Sequence, residues 1–457
     1  MIDSTSTDVV NEKTKLEVLY DSIISTHDVS LLSKIDLSNC NLCEFPIVEL
    51  KCISANVTSL NFGGNRISSL PDELILFQQL RILFFANNSF DSIPEVLSNL
   101  KSLYMVSFKS NKLKEISETC LSSSIEWLIL TDNELTSLPL SIGSLTKLRK
   151  CMLAGNKLSF LPTTMKHCQK LELIRLAANN FTDFPDWLYE LPRLSWIAFG
   201  GNPVSTILST NDNIDIIHWN EIKLYEKLGE GASGVVHKGI WKKDNTEILV
   251  AIKLFKGVAT SDGLPEDEMK ASIHQGNHPN SSKVYGKLID CPMGLGLVLE
   301  LIDPSFKILG LPPSFDTITR DTYPEDKKLD LDHVISVAKG VVSVCSHLHS
   351  RGISHGDLYA HNILVDDKGE SLLSDFGAAS FYDPSSLHAS SIEGFEVRAF
   401  GCLLEELIQL AFKSAEQFDD KSREAIVKLQ DIQMNCMKEN PLSRPTFNSI
   451  IANLAQM

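Results

Sequence analysis

One period governs the first half of the chain. From residue 32 to about 203 the template L-x-x-L-x-L-x-x-(N/C)-x-L-x-x-L-P recurs, with its Asn or Cys at Cys40, Asn65, Asn88, Asn111, Asn133, Asn156, Asn179 and Asn202. The intervals are 25, 23, 23, 22, 23, 23 and 23 residues. A coiled coil would repeat about every seven residues, and independent amphipathic helices would not hold one period through eight copies. Each copy makes sense as one coil of a stack. Its L-x-L core is a short strand whose alternate side chains face inward and stay unburied until a neighbour covers them. An Asn or Cys at the turn can satisfy backbone groups that leave the strand.

The template resembles leucine-rich repeats. The resemblance implies an α/β solenoid of about eight repeats over residues 31–203, with the Pro after the last Leu closing each coil. Residues 1–30, where Leu16, Leu19, Tyr20, Ile23 and Ile24 stand among charges, predict a helical cap for the open end. Pro203 ends the array, and the polar run from Ser205 to Asp215 reads as a linker, set at 204–218 and short enough that the halves should touch. Alternate strand residues must face away from the core. On that face Ile82, Phe84, Met105, Trp127, Ile129 and Met152 are expected to form one exposed apolar patch. It would dock a protein partner, with Lys150 and Arg175 at the rim recruiting acidic groups. Cys40 and Cys43 form a C-x-x-C, but only Cys52 lies near enough to help hold zinc, and repeat geometry accounts for Cys40 better.

The second half carries a different signal. Gly229-Glu230-Gly231-Ala232-Ser233-Gly234-Val235-Val236 reads G-x-G-x-x-G-x-V. A dinucleotide-binding loop with such glycines opens a helix, whereas here the chain continues as a strand through Gly239, giving a glycine hairpin able to lie over phosphates. Lys253 follows Gly234 by 19 residues, at the end of the apolar strand Val250-Ala251-Ile252. Further on come His355-Gly-Asp357-Leu-Tyr-Ala-His-Asn362, Asp375-Phe-Gly377 and Asn440-Pro-Leu-Ser-Arg444-Pro-Thr-Phe447.

In this order the set resembles the protein kinases, over about residues 219–457. The resemblance implies an α+β two-lobed kinase fold that binds ATP and magnesium. It makes Lys253 the residue that holds the α- and β-phosphates and pairs with a helix acid, for which Glu268 is preferred to Glu266. Asp357 becomes the acceptor of the attacking hydroxyl's proton, and Asn362 and Asp375 the oxygen ligands of magnesium. Leu228, the glycine hairpin, Val236, Ala251 and Leu364 would wall the nucleotide, and Glu300 and Ile302 would offer backbone groups to the adenine edge.

Several residues depart from the family's pattern. Gly356 stands where the family has Arg, so a phosphate on the following loop would lack its reader, and Ser380, Ser385, Ser386, Ser390 and Ser391 should be dispensable. Tyr359 stands where serine/threonine kinases carry Lys. The segment from Gly377 to Glu393 lacks Ala-Pro-Glu, which trims the expected peptide platform, and Glu393 is a candidate partner for Arg444.

The net charge of -16 argues against broad contact with nucleic acid or anionic membrane. The polar, acidic N-terminus has no signal-peptide pattern, and the most apolar later stretch, Gly294 to Ile302, contains Glu300 and falls short of a membrane span. Ten scattered cysteines fit reduced thiols in the cytoplasm. The expectation is therefore a soluble cytoplasmic serine/threonine-type protein kinase that phosphorylates protein substrates and recruits partners through its repeats. The alternative is a pseudokinase scaffold that binds nucleotide without phosphoryl transfer. A third reading, from the likeness of His-Gly-Asp-Leu to small-molecule kinases such as aminoglycoside phosphotransferases, is disfavoured by the glycine hairpin and Arg-Pro-Thr-Phe.

Overall fold

The computed structural model describes residues 32–205, 214–257, 260, 262–414 and 418–457. The helical cap expected over residues 1–30 lies outside them, as does the middle of the expected linker. Two compact units divide the chain, Met1–Glu134 and Leu135–Met457. The division falls inside the repeat run and not at the expected linker.

In the first unit five short strands, β1 (Lys34–Asp36), β2 (Ser59–Asn61), β3 (Ile82–Phe84), β4 (Met105–Ser107) and β5 (Trp127–Ile129), pair in parallel and in register. Their central residues Ile35, Leu60, Leu83, Val106 and Leu128 all point into the core. Beneath them Phe62, Phe85 and Phe108 stack at 5.5 and 5.6 Å between ring centroids. The turn asparagines form a ladder. Asn65 accepts from the backbone N–H groups of Cys40 (3.1 Å) and Leu42 (2.9 Å) and donates to the carbonyls of Leu37 and Phe62. The residue just before each ladder position is left-handed: Asn39, Gly64, Asn87, Ser110, Asp132, Gly155, Ala178 and Gly201. Gly and Asn are common there because they adopt this conformation at least cost. The Pro that ends most copies does more than close the coil, since Pro71, Pro94, Pro139, Pro162 and Pro185 each start a five-residue 3-10 turn.

The second unit opens with three more parallel strands, β6 (Lys150–Met152), β7 (Leu173–Arg175) and β8 (Trp196–Ala198), built the same way. A six-stranded sheet follows, ordered β10 (Ile222–Glu230), β11 (Gly234–Lys243), β12 (Thr246–Phe255), β14 (Gly296–Glu300), β13 (Val284–Ile289) and β9 (Asp215–His218). Strand β9 occupies what was expected to be linker: its Ile217 is fully buried, and the strand pairs in parallel with β13. Alternation along β12 sends Val250, Ile252 and Leu254 into one core and leaves Ala251 and Lys253 on the opposite face. On that face helix α1 (Pro265–His274) packs Met269 against Phe255 and Leu297.

The remainder is mostly helical. Helix α2 (Leu331–Ser350) is capped by Asp330 and buries a Val-rich stripe. Two small sheets, β15 (Lys307–Ile308) with β17 (Ile363–Val365) and β18 (Ser371–Leu373), and β16 (Ile353–Ser354) with β19 (Ser380–Phe381), carry the Asp357 and Asp375 motif loops between them. Helix α3 (Ala389–Ser414) lies close on α4 (Asp420–Cys436), where a Cβ at Gly401 would come within 2.8 Å of the Cys436 Cβ. Helix α5 (Phe447–Leu454) closes the described chain.

Candidate functional site

The glycine hairpin is the turn between β10 and β11. A Cβ at Gly229 or Gly231 would meet nothing within 4 Å, so this face is open, whereas at Gly234 it would come 2.5 Å from the Leu254 carbonyl oxygen. Lys256 donates to the Gly231 carbonyl (3.0 Å) and to Glu230 (2.7 Å), which ties the turn to the end of β12. Glu230 faces outward, its carboxyl held down to about 2 by the hydrogen bonds from Lys256 and Lys227. Below the hairpin a space of about 240 Å³ is lined by Ala232, Ser233, Lys253, Asp262, Asp375 and Gly377.

Beside it lies a second cavity of about 250 Å³. Leu228, Val236, Ala251, Leu299 and Ile302 form apolar walls, and Lys253, Glu268 and Asp375 stand at its polar end. Glu300 lines it too, although its N–H already donates to the Lys283 carbonyl. Leu364, expected on the same wall, lies on β17 opposite Ile308 and is not among the cavity's lining residues. Val235 sits on β11 facing Leu254 of β12.

Lys253 and Glu268 form an ion pair. Glu268 is 2% exposed whereas Glu266 faces solvent, which separates the two candidate acids. Burial pushes the Glu268 carboxyl up even though Lys253 opposes the shift. Its Oε2 has no hydrogen-bond partner among the described residues.

Asp357, Asn362 and Asp375 come from two loops that His355 joins. The His355 ring receives the Asp357 N–H at Nδ1 (3.3 Å) and lies 3.0 Å from the Ser374 carbonyl through Nε2. It also packs on Phe376. Asn362 donates through Nδ2 to the Asp357 carboxylate (2.8 Å) and carbonyl (2.9 Å), which leaves its Oδ1 as the atom that can ligate. Asp375 is left-handed and accepts the Gly377 N–H at 3.1 Å. The Ser374 N–H donates to the Asn362 carbonyl (2.9 Å), so the two loops adjoin, and their carboxylate and amide oxygens are of the kind that suits a hard cation such as magnesium.

Two residues outside the quoted motifs hold this loop. Glu396 of α3 is buried and accepts from the N–H groups of His355 (3.2 Å) and Gly356 (2.9 Å) and hydrogen-bonds the His349 ring (2.6 Å). Arg175 of β7 is ion-paired with Asp357 and with Asp262 (2.7 Å) and donates to the Gly356 carbonyl (2.9 Å). Gly356 explains itself here, for it is left-handed and a Cβ would come 2.6 Å from the carbonyl oxygens of both Ala378 and Ile197. An Arg does not fit. Tyr359 is buried against Trp196, rings 4.5 Å apart and nearly parallel, while Trp196 Nε1 donates to the Leu358 carbonyl.

Other sequence expectations change. The apolar row does not stand open: Met105, Trp127 and Met152 are 2%, 8% and 8% exposed, and Ile82, Phe84 and Ile129 are half-buried. In-register pairing sets Ile82 beside Met105 and Met105 beside Trp127, so large side chains at strand spacing shield one another. Arg175, expected at an exposed rim, is 2% exposed, and its acidic partners belong to its own chain. Half-buried Lys150 is pushed down to about 8 by burial and by the Arg175 charge. Glu393 and Arg444 do not pair. Glu393 accepts the Phe447 N–H at the start of α5, and Arg444 donates to the carbonyls of Lys438, Gly394 and Pro192. Ser380 and Ser391 are buried, and Ser380 accepts the Phe199 N–H, so replacing it tests packing as well as phosphorylation. Ser385, Ser386 and Ser390 are exposed.

Residues 222–398 match the protein tyrosine and serine/threonine kinase family. The chain is similar to a probable serine/threonine-protein kinase of Dictyostelium discoideum, 27% identical over 277 residues that make up 52% of this chain and 16% of the relative. It is similar to cyclin-dependent kinase 11.1 of Caenorhabditis elegans, 29% identical over 36% of this chain and 22% of that protein. Tyrosine-protein kinase SRK3 of Spongilla lacustris is 24% identical over 54% of this chain and 79% of its own length. The chain thus spans about a fifth or less of the first two. It carries a protein kinase domain, consistent with a two-lobed fold, and its relatives include both serine/threonine and tyrosine kinases. Among the described residues no helix is long and apolar enough to cross a membrane.

Proposed function

We propose that this protein transfers the γ-phosphate of ATP to serine or threonine hydroxyls of protein substrates, using magnesium, with a leucine-rich-repeat array over residues 31–203 and the kinase domain over residues 219–457. The observation that carries this reading is the Lys253–Glu268 ion pair, which aims an ammonium into the same cavity end as Asp375. Lys253 then meets phosphate oxygens and the hairpin N–H groups cover them. Bound magnesium would neutralise phosphate charge, and the Asn362 Oδ1 and the Asp375 carboxylate are the groups that would hold it. Asp357, fixed by Asn362, accepts the proton of the substrate hydroxyl as its oxygen bonds to phosphorus and the bond to ADP breaks. The regular Asn ladder supports the repeat assignment, and ten free thiols support a cytoplasmic setting.

A pseudokinase scaffold is the second reading, favoured by a catalytic loop, Gly356 to Asn362, that holds no Lys or Arg. Labelled ATP with magnesium and a generic protein acceptor separates the two. Transfer by the wild type, reduced about a thousandfold or more in Asp375→Asn, supports the kinase. Nucleotide binding without transfer sinks it. Phosphoamino-acid analysis of the product decides serine and threonine against tyrosine.

A further inference from the structure

Asp357 is a carboxylate in acidic surroundings. Asp262 and Asp375 line the space under the hairpin, and Asp321 pairs with His361 four residues along the same loop. The loop itself, Gly-Asp-Leu-Tyr-Ala-His-Asn, contributes no permanent cation. Among the described residues Asp357 makes one ion pair, with Arg175, from a strand 182 residues earlier in the chain.

We infer that Arg175, on β7 of the repeat run, is a positioning residue for Asp357 and supplies the cation that the catalytic loop lacks. The inference rests on the kinase reading above. Its geometry is specific, because the guanidinium uses all three kinds of nitrogen: Nη2 to the Asp357 carboxylate, Nη1 to the Gly356 carbonyl, and Nε to Asp262. One planar fork thereby fixes the carboxylate against its own backbone, which a Lys ammonium cannot do. Gly356 admits β8, the strand paired with the fork's own β7, since a side chain there would strike the Ile197 carbonyl.

The arrangement is a support and not a plug. Arg175 is 2% exposed while Asp357 keeps 19%, so the guanidinium lies behind the carboxylate and the carboxylate faces the open side. Arg175 and Asn362 each satisfy one carboxylate oxygen, and an ionised carboxylate has about four acceptor sites, which leaves room for a substrate hydroxyl. Burial alone would weaken the Arg175 charge, but Asp357 and Asp262 more than offset it.

The test uses the full chain with wild type, Arg175→Gln and Arg175→Lys, measuring kcat, KM for ATP, binding of a fluorescent ATP analogue with magnesium, and thermal melting. Arg175→Gln should lose about a hundredfold in kcat while KM for ATP and analogue affinity stay within about threefold. Arg175→Lys should recover part of that loss, remaining about tenfold below wild type, because it restores charge without the fork. Wild-type or higher kcat in folded Arg175→Gln overturns the inference and makes Arg175 inert or inhibitory. If Arg175→Gln does not fold, Arg175→Lys decides, and wild-type kcat in it overturns the inference. A wild-type chain that transfers no phosphate fails at the earlier step, taking the kinase reading down with the inference.

Discussion

Ala178 is the non-glycine, non-polar member of the eight left-handed positions that precede the ladder residues, with φ of +53°. A left-handed L-residue without a side-chain hydrogen bond is strained by about 1–2 kcal/mol, and Gly escapes that strain at some entropic cost in the unfolded chain. Ala178→Gly should therefore raise the unfolding free energy by about 0.5–1 kcal/mol, read from denaturant melts. A loss of stability would mean that the Ala178 methyl is held by packing that outweighs the strain. The same residue scale shows why part of the site was legible. Lys253, Asp357, Asn362 and Asp375 stand at fixed spacings in local motifs, so they could be picked out in order along the chain as members of one candidate site. Arg175 could not. Its partners lie 87 and 182 residues away, and nothing beside it in sequence marks it off from an exposed strand position.

At the scale of elements, the repeat strands and their Asn turns were readable because each copy restates the same local requirement. Strand β9 was not, since its polar approach hides a single buried residue, Ile217, which needs β13 to become core. Helix α3 holds a further element-scale device, for Glu396 clamps the two N–H groups that precede Asp357. Burial would push its carboxyl up, but the His349 hydrogen bond, the charges of His349 and His355 and the Gly356 N–H hold it below the ordinary glutamate value. A folded pKa below the unfolded one, about 4.3, contributes stability that is fully present above that value and lost as pH falls through the folded one. Glu396→Gln should cost about 3 kcal/mol at pH 7, because the His349 ring and two buried N–H groups lose their anion. Its melting temperature should then fall less steeply than that of the wild type between pH 5 and 3. Parallel falls in the two proteins would remove Glu396 as a source of acid sensitivity.

For the whole molecule the boundary of cooperation matters more than the boundary of sequence motifs. Strands β6–β8 belong to the compact unit that runs from Leu135 to Met457. The links are specific: Trp196 reaches the Leu358 carbonyl, Arg398 of α3 reaches the Arg193 carbonyl and Ser195, and Phe199 donates its N–H to Ser380. A unit joined this way should open as one. Trp196→Ala removes a side chain that is 2% exposed and stacked on Tyr359, and should cost about 3–5 kcal/mol. In native-state hydrogen exchange the loss should appear together at the amides of β7, at the Asp357 loop and in α3, three regions far apart in sequence. Faster exchange confined to β7 and β8, with the Asp357 loop unchanged, would mean that β7 and β8 open independently of that loop.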